Sequence, residues 1–383
     1  MIPYGKQSIS EEDINEVVKV LRSDFITQGP LVPKFEKKIS NYTGARYCVA
    51  VNSATSALHI ACLALDLGIG DYLWTSPNSF VASANCALYC GAKVDFVDID
   101  ESTFNISISE LEKKLEVAKA ENKLPKIVVP VHFSGASCEM ERIFELSKIY
   151  GFKVLEDASH AVGADYKSTK VGSCQFSDMA VFSFHPVKII TTAEGGVVLT
   201  NNQNFAEKMR TLRSHGITKD SESFVADFSG PWKYEQQDLG FNYRLTDIQA
   251  CLGISQLKRL DEFVAKRRDL ARKYSDEFRD VSGIEIPSTD FLETSSWHLY
   301  VIRVKSSAKR EPLFNYLRNQ GIGVNVHYIP IHLQPFYKNL GFKKGDFPSS
   351  EDYYERCISL PLFPDLLEKD FEFIINNIKK LFI

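Results

Sequence analysis

From Tyr47 onward, short β-rich runs alternate with helical patterns, and nothing else in the chain limits its fold so sharply. Strands are expected at Tyr47 to Val51, Tyr72 to Thr75, Lys93 to Val97, Ile127 to Val131 and Lys153 to Glu156. Between them, helices are expected from about Ala54, around Val81 to Tyr89, from Ser109 and around Met140 to Tyr150. Such alternation implies crossover connections, hence an α/β fold with a mostly parallel sheet covered on both faces. In sheets of this kind ligands bind beyond the carboxyl ends of the strands.

The flanks follow other patterns. Ser10-Glu11-Glu12-Asp13 reads as a capping box, and Ile14, Val17, Val18 and Leu21 then recur on one helical face. Thr246 caps a long helical pattern through Ile248, Leu252, Ile254, Leu257 and Leu260. Residues 246–280 are therefore expected to link a large unit, 1–245, to a smaller α+β domain, 281–383, with Val281 to Pro287 at the boundary. The smaller unit should hold a strand near Leu299 to Val304, a helix around Glu311 to Asn319, a short strand at Val324 to His327 and a closing helix from Leu366 to Leu381. The polar stretch Thr218 to Gln237 reads as a flexible excursion.

Composition narrows the function classes. With 383 residues, 44% hydrophobic and 25% charged, the chain can bury a large core. A net charge of -4 without a block of basic residues gives no footprint for nucleic acid. The eight cysteines form no CxxC pair, which fits reduced thiols and a cytoplasmic location. The first residues lack an apolar signal-peptide core, and the most apolar stretch, near 48 to 67, is interrupted by Asn52, Ser53, Thr55 and His59, so no membrane span is expected. His327 and His332 lie five apart across Pro330 and share no helical face, so no metal site is expected. Gly68-Ile69-Gly70 lacks the later glycine of a dinucleotide turn.

Lys188, between Val187 and Ile189, allows two readings. Its stem can pack on apolar neighbours while the ammonium reaches water, or a partly desolvated amine can attack an aldehyde cofactor. Asp157 ends the apolar run Val154-Leu155-Glu156, at a strand's carboxyl end. There it serves either as a helix cap or as partner to a protonated pyridine nitrogen. Asn52-Ser53-Ala54-Thr55-Ser56 supplies small residues and backbone donors at a strand-to-helix junction, suited to a phosphate or to simple capping. Ser183, five residues before Lys188, offers a hydroxyl to the same phosphate, and Phe80 offers an aromatic cover or a core contact.

Taken in order, Asn52 to Leu58, Ser79 to Ala82, Glu156 to Ala161, Ser183 to Lys188 and Glu194 to Gly196 resemble the DegT/StrS-type nucleotide-sugar aminotransferases. Thr27 to Pro30, Arg213 to Gly216, Gly240 to Arg244 and Val326 to His332 extend the likeness over nearly the whole chain. The resemblance implies a fold type I aminotransferase dependent on pyridoxal 5'-phosphate (PLP), with a mostly parallel seven-stranded sheet and a smaller C-terminal α+β domain. It also implies a homodimer whose active sites use residues from both chains.

Carried over by position, Lys188 would be the catalytic lysine that joins the cofactor, and Asp157 would pair with its pyridine nitrogen. His160, where many relatives have glutamine, would approach the ring's phenolic oxygen, and Phe80 would stack on the ring. Ala54, Thr55 and Ser183 would hold the phosphate, and Asn242 would reach the phosphate in the neighbouring subunit. Thr27, Gln28, His185, His215, His327 and His332 match positions near the sugar nucleotide; Tyr4 and Trp232 are further candidate contacts without an assigned role. A narrower likeness, in Phe182 to Gly196 and Pro231 to Gly240, implies a UDP-linked 4-keto-6-deoxy-N-acetylhexosamine aminated at C4, with L-glutamate as donor. Amination of a different nucleotide-linked keto sugar is the nearest alternative. Dehydratases of the family carry histidine in place of the lysine, and a regulatory PLP-binding relative would hold the cofactor without turnover.

Overall fold

The computed structural model describes residues 1–226 and 230–382. Its centre is a seven-stranded sheet of β1 (Tyr47–Val51), β2 (Tyr72–Thr75), β3 (Lys93–Phe96), β4 (Ile127–Val129), β5 (Lys153–Asp157), β6 (Met179–Ser183) and β7 (Gly196–Thr200). The strand order is β1-β7-β6-β5-β4-β2-β3. Strands β2 to β6 run parallel, and β7 is antiparallel to both β1 and β6. Residues of β6 and β7 are buried throughout, as expected for strands covered on both faces. The crossovers are helices α3 (Ala54–Ala64), α4 (Ala82–Tyr89), α5 (Ile108–Ala120) and α6 (Met140–Tyr150).

Before the sheet lie α1 (Glu11–Leu21) and α2 (Leu31–Thr43). The capping box of α1 forms as read: Ser10 Oγ accepts from Asp13 N–H, and the Asp13 carboxylate accepts from Ser10 N–H. The face built on Ile14 and Leu21 is not buried in the chain; both are about half exposed, as are Phe25 and Ile26. Asp13 and Val20 face inward instead, because Asp13 accepts from Gln256 and Arg259 at the far end of the molecule's central helices.

Helix α7 (Gln203–Leu212) packs back on the sheet, and Thr246 caps α8 (Asp247–Leu257) with a capping box to Gln249. The long pattern expected from Thr246 breaks at Lys258–Arg259, where α9 (Leu260–Phe278) begins. A separate core gathers Leu270, Tyr274 and Phe278 of α9 with Tyr300, Ile302, Leu313, Ile358 and Ile374. It is built on β8 (Ile284–Glu285), β9 (Tyr300–Val304) and β10 (Cys357–Leu360), with α10 (Arg310–Asn319), α12 (Pro348–Arg356) and α13 (Glu368–Lys379) around them, while α11 (Pro335–Lys338) sends Tyr337 into the core of the large sheet. Val324 to His327 is not a strand: Asn325 makes one isolated bridge to Ser359, and β10, unforeseen, pairs with β9. Ile217–Thr218 and Glu235–Gln236 form a two-stranded ribbon within the expected excursion. Residues 227–229 of that stretch lie outside the described residues. Among the described residues no helix is long and apolar enough to cross a membrane.

Candidate active site

Register brings the ends of four strands to one edge of the sheet. Asp157 pairs with Val181 near the end of β6, Ser183 with Gly196 at the start of β7, and Gly196 in turn with Val51 at the end of β1. A cavity of about 430 Å³ opens there, within the range of small-molecule sites. Its lining includes Ala54, Thr55, Phe80, Asp157, His160, Ser183, His185, Lys188 and His327 from the residues singled out in the sequence, together with Tyr4.

One wall is the start of α3. Ser53 is extended (φ -163°, ψ 160°), and its Oγ accepts from Ser56 N–H at 3.1 Å. The cap satisfies one donor of the first turn and leaves the N–H groups of Ala54 and Thr55 without intrahelical partners, facing a cavity that both residues line. The glycine that begins β7 is a consequence of this packing. A Cβ on Gly196 would stand 2.6 Å from Ala54 N and 2.7 Å from Ser53 C, so only hydrogen fits where the strand passes the helix start.

Lys188 lies on the connection between β6 and β7, which folds on itself. Phe184 N–H donates to Gly195 O at 2.9 Å, Thr192 N–H donates to Phe184 O at 3.0 Å, and Lys188 N–H donates to His185 O at 2.9 Å. Ile189 and Ile190 are buried and anchor the loop. Burial lowers the Lys188 pKa to about 8, against the opposing pull of the Asp157 carboxylate. An amine in that range holds a substantial neutral fraction near neutral pH, which nucleophilic attack requires.

Asp157 is 5% exposed and held from one side. Ser83 Oγ donates to Asp157 Oδ2 at 2.6 Å, and Ser159 N–H donates to Oδ1 at 3.2 Å. Ser79 Oγ stands 2.7 Å from Ser83 Oγ. With Ser83 donating to the carboxylate, Ser79 donates to Ser83 and presents only lone pairs to the cavity it lines. Neither serine was singled out in the sequence. Ser83 lies in the first turn of α4, and Ser79 in the bend that leads into it.

The opposite wall is aromatic and uncharged. His160 stacks on Tyr328 with centroids 6.1 Å apart, and His298 lies 4.3 Å from His160. His327 Nδ1 is 2.8 Å from Ser359 Oγ, and its Nε2 is 3.3 Å from Asn325 Nδ2. Burial, then the charge of Lys188, lowers the His327 pKa to about 3 and those of His160 and His298 well below the usual imidazole value. Three neutral imidazoles therefore surround the one ammonium. Phe80 is 58% exposed, with its ring 6.4 Å from that of Tyr328, so it faces the opening instead of joining the core.

Five of the residues read as site candidates do not line this cavity. Thr27 and Gln28 are exposed and tied to α8 by a bridge from Thr27 to Thr246; Asn242 and His215 are exposed on the segment that bridges Ser214 to Asn242. These four remain on the surface of the single chain. His332 is wholly buried, its Nε2 stands 2.9 Å from Glu351 Oε1 and its ring meets Phe347 at 4.8 Å, so it braces α12. Tyr328, Glu194 and Ser159 line the cavity without having been singled out.

Comparison with known proteins fits this geometry. Over 382 residues, 99% of this chain and 96% of the relative, the chain is 39% identical to the UDP-4-amino-4,6-dideoxy-N-acetyl-beta-L-altrosamine transaminase of Campylobacter jejuni. The structure matches PseC of Helicobacter pylori, an aminotransferase of pseudaminic acid biosynthesis, with a TM-score of 0.91, 34% identity and coverage of 100% and 99% of the two chains. It also matches the PLP form of a sugar aminotransferase of Streptococcus pneumoniae, with a TM-score of 0.88, 31% identity and coverage of 99% and 98%. The model of one aminotransferase family spans residues 7–379, and with this span and the identity to the Campylobacter transaminase, the chain belongs to the DegT/DnrJ/EryC1/StrS aminotransferase family.

Proposed function

We propose that the chain binds PLP in this cavity and transfers an amino group from L-glutamate to C4 of a UDP-linked 4-keto-6-deoxy-N-acetylhexosamine, giving the 4-amino sugar of the altrosamine type. The observation that carries the reading is the half-buried Lys188, its pKa drawn to about 8, beside an Asp157 carboxylate held by Ser83. The likeness to the Campylobacter transaminase supports the sugar.

The residues fit the cofactor. The open N–H groups at the start of α3, with Ser183, suit its phosphate, and the close passage of Gly196 keeps that cradle in place. Asp157 Oδ1 and Oδ2 each accept from one donor, which leaves carboxylate lone pairs for a protonated ring nitrogen. Phe80 covers a ring face. When bound, PLP supplies the aldehyde that carries the amino group and a cationic ring that draws electrons from the reacting carbon.

The chain's own part is to position and to move protons. Lys188 would anchor the cofactor and, with its amine free, would remove the proton from the α carbon of glutamate in one half-reaction and deliver a proton to C4 of the sugar in the other. The neutral His160, His298 and His327 add no second positive charge that would depress the amine further. In this reading the exposed Asn242, with Thr27 and Gln28, completes the site of a partner subunit in a homodimer, and the half-exposed Ile14, Leu21, Phe25 and Ile26 supply apolar surface for that contact.

The test is to supply PLP, L-glutamate and the 4-keto UDP-sugar together. The expected result is 2-oxoglutarate and a 4-amino sugar in equal amounts, with neither formed when one substrate is withheld. Elimination of water from the sugar, or cofactor binding without turnover, would overturn the reading.

A further inference from the structure

His160 and Tyr328 form a hydrogen-bonded pair in the cavity wall, and a third group settles which of them donates. Ser134 N–H donates to His160 Nδ1 at 3.3 Å, so that nitrogen is an acceptor and carries no proton. Burial and the nearby Lys188 keep the imidazole neutral. Its single proton therefore sits on Nε2, 3.1 Å from the Tyr328 hydroxyl oxygen, and points at it. Tyr328 accepts that bond. No acceptor among the described residues takes the phenol's own proton, and Tyr328 lines the cavity.

We propose that Tyr328 is a catalytic residue whose hydroxyl donates a hydrogen bond to the keto oxygen of the substrate, the oxygen that leaves as water when the amine takes its place. The proposal rests on the sugar-amination reading above. Across the cavity, Ser79 presents lone pairs and Tyr328 a proton, so the two walls have opposite hydrogen-bonding sense. A carbonyl oxygen is acceptor-only, so of these two hydroxyls only that of Tyr328 can bind it.

The hydroxyl donates a hydrogen bond, not a proton. Burial first, then Tyr4 and Asp157, raise its pKa, so it stays protonated across the working range. His160 could not replace a lost proton either, because its Nδ1 is occupied by the Ser134 N–H and giving up the Nε2 proton would leave an imidazolate. Tyr328 thus polarises the carbonyl in a fixed direction, His160 is its positioning residue, and proton movement stays with Lys188. A preorganised donor of this kind is worth about 10²–10³ in rate.

The experiment compares the two half-reactions in single turnovers followed by cofactor absorbance, with PLP-loaded enzyme for L-glutamate and enzyme loaded with pyridoxamine phosphate for the keto sugar. Tyr328→Phe should slow the half-reaction with the UDP-linked 4-keto-6-deoxy-N-acetylhexosamine by about 100-fold. The half-reaction with L-glutamate should change far less, and the absorbance maximum of the resting enzyme and its pH midpoint should stay at the parent values. Equal slowing of both halves, or a shifted spectrum, would show that the hydroxyl serves the cofactor or the fold and would overturn the proposal. Matching thermal midpoints of variant and parent separate chemistry from folding. A parent enzyme that consumes glutamate but rejects the keto sugar would sink the sugar reading and Tyr328's role with it; with an active parent, only Tyr328 is at stake.

Discussion

Lys188 shows how much a single side chain owes to its surroundings. Flanked by Val187 and Ile189, it suited a surface lysine as well as a nucleophile, because sequence neighbours do not reveal what faces the amine. Tertiary burial lowers its pKa to about 8, and only this makes the amine reactive near neutral pH. Capture of PLP by the cofactor-free protein should therefore speed up about tenfold per pH unit below 8 and level off above it, as followed by absorbance. The linkage has a definite sign. The folded pKa lies below the unfolded value of about 10.4, so this group's penalty is fully present below pH 8 and is relieved as pH rises from about 8 to 10.4. In Lys188→Arg the charge remains but the attacking amine is lost. Covalent capture should vanish and turnover should fall by about 10²–10⁴, while an unchanged spectrum and rate would exclude Lys188 from both roles. His332 is the contrary case: its place in a motif suggested ligand contact, yet the fold spends its ring on Glu351 and Phe347.

At the scale of elements, local chemistry and long-range pairing separate cleanly. Helices α1 and α8 begin where their capping boxes place them, and the first five strands match their β-rich runs, since caps and β-branched runs are local signals. Strands β6 and β7 carried no alternation, being buried on both faces, and β10 followed directly on α12 with no turn residue to mark it. Val324 to His327 has strand-forming residues but finds only one bridge, because β10 holds the place beside β9. The junction of β7 with α3 is the element-level device most open to test. Gly196→Ala pushes a methyl group against backbone that cannot yield as a side chain does. Stability should fall by about 1–3 kcal/mol in urea denaturation, and PLP affinity should fall further as the α3 start shifts.

For the whole molecule, the surface residues matter as much as the cavity. Asn242 lies outside its own chain's cavity and on the surface, an arrangement suited to a neighbour's site. If sites are shared across a two-fold dimer, Lys188→Ala and Asn242→Ala should each be inactive alone. After unfolding and refolding as a mixture, about a quarter of the parental activity should return, because half the dimers are mixed and each of those has one intact site. Activity that fails to recover while mixed dimers form would place Asn242 outside the partner's site.

Alternating period and β-rich runs were enough to establish an α/β sheet with its ligand site at the strand ends, and the ordered motifs were enough to point to the family, because both signals are local in the chain. The working parts of the cavity depend on groups far apart in sequence. Ser83 meets Asp157, Ser134 orients His160, and His160 in turn orients Tyr328 across 168 positions. Those contacts exist only once the sheet has brought its strand ends together, and so does the burial that lowers the Lys188 pKa to about 8, which no local spelling records.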